Sequence, residues 1–288
     1  MSTSIFPYYS NYTYNPFAKS LNVLLLSYKD IETKYGYAWL PGALIRHLLL
    51  KLDEGSMEIG YKWIENSTIN NQLKQKSYGN LYEGIPVGVF TNENGLSTLI
   101  SESFSRRGER ETSARYNRYT YFGNIALTQF DDDGNELWGT VLPLSQRYKS
   151  YKNYYLAYEL SKKWQTQFLF TDLPDQVYER QFVSFNTYDH NKNLYVVFND
   201  NDKNFNNSIE KPGDTVYNFN TTNACYYEIN RKKEITKHYL FGEPAANEYR
   251  CSFIEGADFN EKNGVYASLV QYKKGDDVSL CMAWSRLE

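Results

Sequence analysis

The chain contains 288 residues, carries a formal net charge of −3 and has a sequence pI of about 5.8. Because no basic face dominates this composition, it argues against a nucleic-acid-binding protein. No stretch reaches eighteen consecutive apolar residues, so the sequence predicts no membrane-spanning helix. The 28 Tyr and 16 Phe favour strands and the 28 Asn favour turns, so the composition predicts an all-β protein.

The chain order predicts an arm followed by one domain. Residues 1–20 are expected to be an irregular N-terminal arm, and residues 21–288 a single all-β repeat domain, because no Gly/Ser linker or charge block divides them. The start of the chain lacks the charged and apolar segments of a signal peptide. Residues 4–15 resemble the low-charge tether that follows a removed leader. We therefore expect a periplasmic or cell-surface protein, with a cytosolic one as the alternative.

Three stretches share one plan, in which an alternating apolar run, a polar turn and a second apolar run follow one another. They cover residues 45–64, 124–143 and 225–241. Repeated strand–turn–strand units of this kind predict repeated antiparallel β-hairpins.

Turn sequences give the ends of the predicted hairpins, at Asn94-Gly95, Asp133-Gly134 and Gly275-Asp276. Turns recur every twelve to twenty residues, which favours β-propeller-like sheets over a Greek-key sandwich. The polar residues 69–79 predict a connector between hairpins. The periodicity of residues 148–163 fits a strand or a short helix, and we interpret the segment near 150–163 as a short helical insertion between blades.

The segment from Asn124 to Gln146 contains a strand, an Asp-x-x-Gly turn, a Trp, a Pro and a Gln, in this order. It resembles a family of uncharacterised β-propeller-like proteins from Bacteroidetes, as do residues 194–204 and the hairpin at 225–241. The resemblance covers roughly residues 85–288, and it departs from the family at Leu144, where a basic residue is expected. It implies blade geometry and carries no established activity.

Two tryptophans occupy equivalent places in two of the repeats. Gly134 and Trp138 resemble the Gly-x-x-x-Trp docking turn of quinoprotein propellers, in which the indole packs between neighbouring blades. Trp63 has the corresponding position in the first repeat. We therefore expect both indoles to be buried between sheets.

One loop has the residue types of a cation site. Asp200, Asp202 and Asn204 alternate as oxygen ligands would. A calcium loop of the EF-hand type is excluded, because Phe205 stands where that loop needs Gly and Lys211 where it needs Glu. A solvated Asn/Asp-rich loop is favoured, and a looser cation site is the alternative. The Asp131–Gly134 acids are better explained as a tight turn.

Five arginines lie within thirteen residues: Arg106, Arg107, Arg110, Arg115 and Arg118. Two glutamates in the same stretch offset part of their charge. A solvated hairpin loop is the favoured interpretation, and an anion-binding patch that includes Arg106 and Arg107 is the alternative.

Histidine and cysteine carry little information. The three histidines share no metal-binding spacing, and the chain lacks phosphate-loop and nucleophile motifs, so the sequence predicts no cofactor. Cys225, Cys251 and Cys281 form no CxxC pattern. Whether any two of them pair is left open.

We expect a non-enzymatic binding or scaffold protein whose ligand is a glycan, a peptide or a protein. A glycoside-type hydrolase on the same scaffold and a structural subunit of a surface assembly are the alternatives. Two carboxylates that converge in an open aromatic cleft would favour the hydrolase. A large apolar patch would favour the subunit.

Overall fold

The computed structural model describes residues 10–15, 20–27, 31–33, 36–38, 46–53, 56–75, 84–92, 95–110, 116–150, 182, 184–209, 211 and 213–287. The chain divides into two compact units. Within the described residues, the first unit runs to residue 106 and adds 123–142, and the second contains 107–122, 143–150 and everything from 182 onward. The expectation of one repeat domain over 21–288 stays a prediction.

The first sheet has four antiparallel strands in the order β1-β2-β5-β6. Its strands are β1 (Ser10–Asn15), β2 (Ser20–Ser27), β5 (Arg46–Asp53) and β6 (Ser56–Ile64). A separate small hairpin contains β3 (Ile31–Thr33) and β4 (Gly36–Ala38).

Strand β1 lies within the segment for which the sequence predicts an irregular arm. It pairs residue for residue with β2, from Ser10 opposite Leu25 to Asn15 opposite Ser20. The Asn15 side chain is buried and donates from Nδ2 to the Gly95 carbonyl oxygen at 2.9 Å. These long-range bonds give the segment a fixed partner, which its local composition does not indicate.

The second sheet has the order β10-β9-β8-β7, and β11 pairs with β9 as well. Its strands are β7 (Ile85–Thr91), β8 (Ser97–Arg110), β9 (Tyr116–Phe130), β10 (Glu136–Leu142) and β11 (Gln146–Ser150). Strands β8 and β9 each have one part in the first unit and one part in the second.

The second unit contains two further antiparallel sheets. The first has the order β12-β13-β14-β15, and in the other β16, β17 and β19 all pair with β18. The strands are β12 (Phe185–His190), β13 (Asn193–Asp200), β14 (Asn223–Ile229), β15 (Ile235–Tyr239), β16 (Glu248–Ser252), β17 (Asp258–Asn260), β18 (Val265–Lys274) and β19 (Asp277–Arg286).

The predicted all-β class and the three repeated hairpins are confirmed. The hairpins are β5–β6, β9–β10 and β14–β15. The predicted turns contain Gly95, Gly134 and Gly275 with φ of 78°, 74° and 60°, which glycine adopts without a steric penalty. No closed sheet is seen in the described part of the chain, so the propeller arrangement itself is not shown.

Helix α1 (Ser67–Gln75) replaces most of the connector predicted at 69–79. Its apolar residues Ile69 and Leu73 are one turn apart and both are buried. Ile69 packs against Gly139 so closely that a Cβ on this glycine would lie 2.7 Å from it. The packing partner is distant in sequence, so the polar composition of the segment conceals the helix. The predicted insertion at 150–163 lies outside the described residues, apart from Ser150 at the end of β11.

Each unit has its own buried apolar cluster. In the first unit the cluster contains Ile64, Val89, Leu99 and Phe130. In the second unit it contains Tyr195, Val197, Ala224, Leu240, Ile254, Tyr266 and Leu287. The second cluster joins residues from β13, β14 and β18, and it therefore fixes the two sheets of that unit.

Candidate ligand-binding site

A cleft of about 580 Å³ opens beside strand β15 in the second unit. The loop after β13, strands β14 and β15, and the segment after β15 contribute its walls. The lining residues are Asp202, Phe205, Asn206, Tyr226, Lys237, His238, Tyr239 and Glu243. Aromatic rings and ionisable side chains are therefore mixed in one open site.

A buried ion pair lies at the base of the cleft. The Lys237 ammonium nitrogen is 2.7 Å from Asp200 Oδ2, and the two side chains are only 7% and 2% exposed. The same nitrogen donates to the Asn204 carbonyl oxygen at 2.9 Å. It also lies 5.3 Å from the Phe198 ring centroid and 5.5 Å from that of Tyr227, distances at which a cation is attracted to a ring.

The loop after β13 is closed by the side chain of Asn204. Its Nδ2 donates to Asp200 Oδ1 and to the Asp214 carbonyl oxygen, both at 2.8 Å. Its Oδ1 accepts from the Asp214 amide at 2.8 Å. Both donor hydrogens and one acceptor position of this buried amide are thus directed at the loop and its two ends.

The three predicted cation ligands have different surroundings. Asp200 and Asn204 are buried and bonded to each other, and the positive charge next to Asp200 is that of Lys237. Asp202 points to the cleft, where Oδ1 accepts from Asn223 Nδ2 at 2.8 Å. The described residues contain no group of three acidic, His or Cys side chains that could hold a metal ion. The cation site stays a prediction.

Two stacked ring pairs form the aromatic part of the cleft. Phe205 and Tyr239 stack with centroids 4.3 Å apart, and Tyr226 and His238 stack at 5.0 Å. All four side chains are half-buried. Burial, followed by the negative charge of Asp202, raises the pKa of Tyr239, and its hydroxyl donates to Asp202 Oδ1 at 3.4 Å.

Carboxylate side chains line the same cleft as the aromatic rings. Asp202 and Glu243 both line the cleft. Glu228 Oε2 lies 3.6 Å from His238 Nε2, which gives the ring a negatively charged neighbour. The site therefore offers acceptors, an imidazole and ring surfaces within one space.

The other predicted positions are not among the residues that line this cleft. Arg106 and Arg107 belong to strand β8, and their side chains are outside the described part of the structure. Trp138 is half-buried, so its predicted full burial is not observed, and the side chain of Trp63 is not described. The anion-binding patch stays a prediction.

All three cysteines are free thiols. Cys225 and Cys251 are buried, and burial raises the pKa of both. Cys281 is exposed on strand β19. No disulfide therefore forms among these three cysteines within the chain.

Sequence reasoning missed Lys237, Tyr226, Tyr239 and Glu243, which line the cleft. A signal for part of this set is present in the predicted hairpin at 225–241. Antiparallel pairing places Tyr226 opposite His238 and Tyr227 opposite Lys237. The sequence predicts the hairpin, but its pattern does not distinguish these tyrosines from ordinary strand residues.

Comparison with known protein families and with curated proteins finds no match for this chain. In the described part of the structure, no helix is both long enough and apolar enough to cross a bilayer.

Proposed function

We propose that the protein is a non-enzymatic binding protein, and that the cleft beside β15 holds a glycan. The observation that carries this proposal is the pairing of half-exposed stacked rings with polar groups in one cleft. Phe205, Tyr239 and Tyr226 offer ring surfaces to the C–H face of a sugar. Asp202, Asn206 and their neighbours offer hydrogen-bond partners to its hydroxyls. Peptide and protein ligands remain the other classes to test.

A rigid base supports a binding role. The Lys237–Asp200 pair and the Asn204 amide hold the loop that carries Asp202 and Phe205. A site that is already ordered loses less conformational entropy when its ligand arrives. Such order suits recognition of a ligand whose own shape is well defined.

We further propose a propeller-like arrangement of the sheets. Support comes from the succession of antiparallel sheets along the chain. In three of these sheets, neighbouring strands follow one another in chain order, and the small β3–β4 hairpin is the one interruption, between β2 and β5 of the first sheet. Propeller blades are four-stranded antiparallel sheets of this kind. Export of the protein, and the resemblance to the Bacteroidetes family, rest on the sequence alone.

The binding proposal is tested on immobilised glycans, followed by calorimetry with any that bind. Tyr226→Ala should weaken binding about tenfold or more, the loss expected for an aromatic group at the centre of a site. Tyr217→Ala is the matched control, because Tyr217 is 63% exposed in the same unit and does not line the cleft. Equal binding by the wild type and Tyr226→Ala would remove the cleft from the proposal.

A glycoside-type hydrolase is the second candidate, and a specific observation favours it. Asp202 and Glu243 line the same aromatic cleft, and glycoside hydrolysis uses two carboxylates on either side of the scissile bond. A screen of aryl glycosides and oligosaccharides separates the two functions. Turnover that is lost in both Asp202→Asn and Glu243→Gln would establish the hydrolase, and binding without turnover would favour the binding protein.

A further inference from the structure

The last strand of the chain exposes an apolar face. Strand β19 pairs with β18 over ten residues, without a register shift. Every second side chain along it is large, apolar and open to solvent: Val278 is 57% exposed, Leu280 54%, Met282 60% and Trp284 71%. These four lie on one side of the sheet, since side chains alternate along a strand.

The central eight residues of the β19 edge have none of the features that normally protect an edge strand. Among the described strands it pairs with β18 alone. Proteins usually protect such edges with a proline, a bulge or a charge in the strand. Residues 278–285 contain no proline and no charged residue, and the ladder with β18 contains no bulge. An edge of this kind is a template for another strand.

We propose that β19 pairs with β19 of a second copy of this chain, antiparallel and around a two-fold axis, so that two sheets become one. A two-fold axis perpendicular to the sheet keeps each side chain on its own face. Two residues that lie opposite each other must therefore have sequence numbers that differ by an even number, because side chains alternate between the two faces along the strand. Only a few registers satisfy this condition.

One of these registers matches side chains throughout. It places Cys281 opposite Cys281 of the second copy, Leu280 opposite Met282, and Val278 opposite Trp284. At each end of the ladder, Arg286 then lies next to the turn that carries Asp276 of the second copy, which gives an attractive pair of charges. Every large apolar residue of the strand thus meets another.

The neighbouring registers are mismatched. A shift of two residues in one direction places Trp284 opposite position 276, which lies in the turn, so this indole loses its apolar partner. The opposite shift places Val278 against Arg286. Apolar and charge complementarity therefore select the register that is centred on Cys281.

The backbone of β19 is prepared for this pairing. Gly275 and Asp276 form a two-residue turn between Lys274 and Asp277, and in turns of this kind the two flanking residues form a hydrogen-bonded pair. Bonded and non-bonded pairs alternate along an antiparallel ladder, so Cys281 is bonded inward to Val270. The outward amides and carbonyls then belong to the even-numbered residues. The two Cys281 residues form a non-bonded pair, with Cα atoms about 4.5 Å apart.

The contact that such a pairing makes is small, so we expect a dimer of modest affinity. The exposed parts of the four apolar side chains amount to roughly 500 Å² per copy, and the second copy covers only the flanks that face it across the ladder. The area that two copies bury together therefore stays below about 1,000 Å², the lower limit for standard interfaces, and the new backbone hydrogen bonds supply the rest of the contact. The nine new residue pairs of the ladder and the end charges add to this contact. The proposal is independent of the ligand cleft and of its function.

Disulfide cross-linking tests the register directly. Mild oxidation with copper–phenanthroline, which accepts the electrons of the two thiols, should give a reducible dimer of the full chain. Cys281→Ser should abolish it, because Cys225 and Cys251 are buried. A close non-bonded strand pair has the Cβ separation that a disulfide needs.

The matched control moves the thiol by two residues on the same face. In the double variant Cys281→Ser with Ser279→Cys, the two new thiols lie four residues apart along the ladder, about 13 Å. This variant should not cross-link. Equal cross-linking by both thiols, or none by either, would overturn the proposal.

Sedimentation of the reduced protein over a wide concentration range provides the second measurement. The wild type and Cys281→Ser should both form dimers. The double variant Leu280→Lys with Met282→Lys should be monomeric, because it places like charges opposite each other in the ladder. A wild type that is monomeric at every concentration contradicts the proposal, and so does a dimer that survives the two lysines.

Discussion

Lys237 is the internal counterion of Asp200: its ammonium nitrogen lies 2.7 Å from Asp200 Oδ2, and both side chains are almost completely buried. The two residues are 37 positions apart, on β15 and at the end of β13. The pair joins the base of the cleft to the loop that carries Asp202. The shape of the candidate site therefore depends on the neutralisation of Asp200 by Lys237.

Removal of one partner from this pair should destabilise the protein strongly. Lys237→Met leaves the Asp200 carboxylate buried without its cation, and we expect a loss of about 3–5 kcal/mol in the free energy of unfolding. Urea denaturation followed by circular dichroism measures the change. Lys203→Met is the matched control, because Lys203 is an exposed lysine on the same loop.

The double variant Asp200→Leu with Lys237→Met extends this test. Because both charges are removed together, the cost should be smaller than that of Lys237→Met alone. A single variant as stable as the wild type would show that Asp200 does not depend on Lys237.

Gly213 should tolerate no side chain. A Cβ at this position would collide with the Asn204 side chain, which bonds Asp200 and Asp214. We expect Gly213→Ala to cost about 1–3 kcal/mol in unfolding free energy, the usual result of overpacking a tightly filled site. Gly256→Ala is the control, because no atom lies within 4 Å of the position that its Cβ would occupy. Equal melting temperatures for the two variants would contradict the tight packing.

The parts of the fold that the sequence predicts correctly depend on local chemistry. The turn at Gly134 requires a positive φ, and the alternation on either side of it has the period of a strand. Both signals lie within twenty residues and need no knowledge of the rest of the chain. The hairpin at 225–241 is predictable for the same reason.

The parts that sequence reasoning missed depend on contacts between distant residues. Helix α1 has a polar sequence, and it is fixed by Ile69 against Gly139, 70 positions away. The alternation of Asp200, Asp202 and Asn204 indicates a special loop, but its partner Lys237 follows much later in the sequence. Periodicity can place Tyr226 on a strand, but it cannot show that its ring faces an open cleft.

Glu136 should stabilise the start of helix α1. Its carboxylate accepts from the Thr68 amide at 3.1 Å, the Ser67 hydroxyl at 2.8 Å and the Glu65 amide at 2.9 Å. These amides belong to the first turn and its approach, where a helix leaves donors without intrahelical partners. Glu136→Ala should therefore cost about 1–2 kcal/mol, as the loss of an N-cap does.

Hydrogen exchange measures the local effect of this change. The amide of Thr68 should lose protection in Glu136→Ala. Glu65→Ala is the control, because only the backbone amide of Glu65 takes part in this network. Unchanged protection of Thr68 in Glu136→Ala would show that the helix begins without the carboxylate.

The protein should become less stable as the pH rises above neutrality. Burial raises the pKa of Tyr266 to about 12, and it also raises the pKa of Cys225 and Cys251. In the unfolded chain a Cys thiol ionises near pH 8.5 and a Tyr near pH 10. At alkaline pH the unfolded state therefore binds fewer protons than the folded state, and stability falls as pH rises.

The contribution of Tyr266 can be isolated by substitution. Its share of the stability is complete below about pH 10 and is lost as the pH rises toward about 12, at up to about 1.4 kcal/mol per pH unit. Urea denaturation at several pH values from 7 to 11 measures this slope. Tyr266→Phe removes a hydrogen bond to Ser252 at 2.7 Å, so the stability at pH 7 should drop. Because it also removes the ionisable hydroxyl, the fall of stability with pH above pH 10 should become shallower. Tyr217→Phe is the matched control, because the Tyr217 ring is exposed. If the stability of Tyr266→Phe falls with pH as steeply as that of the wild type, the buried hydroxyl does not govern the loss of stability at alkaline pH.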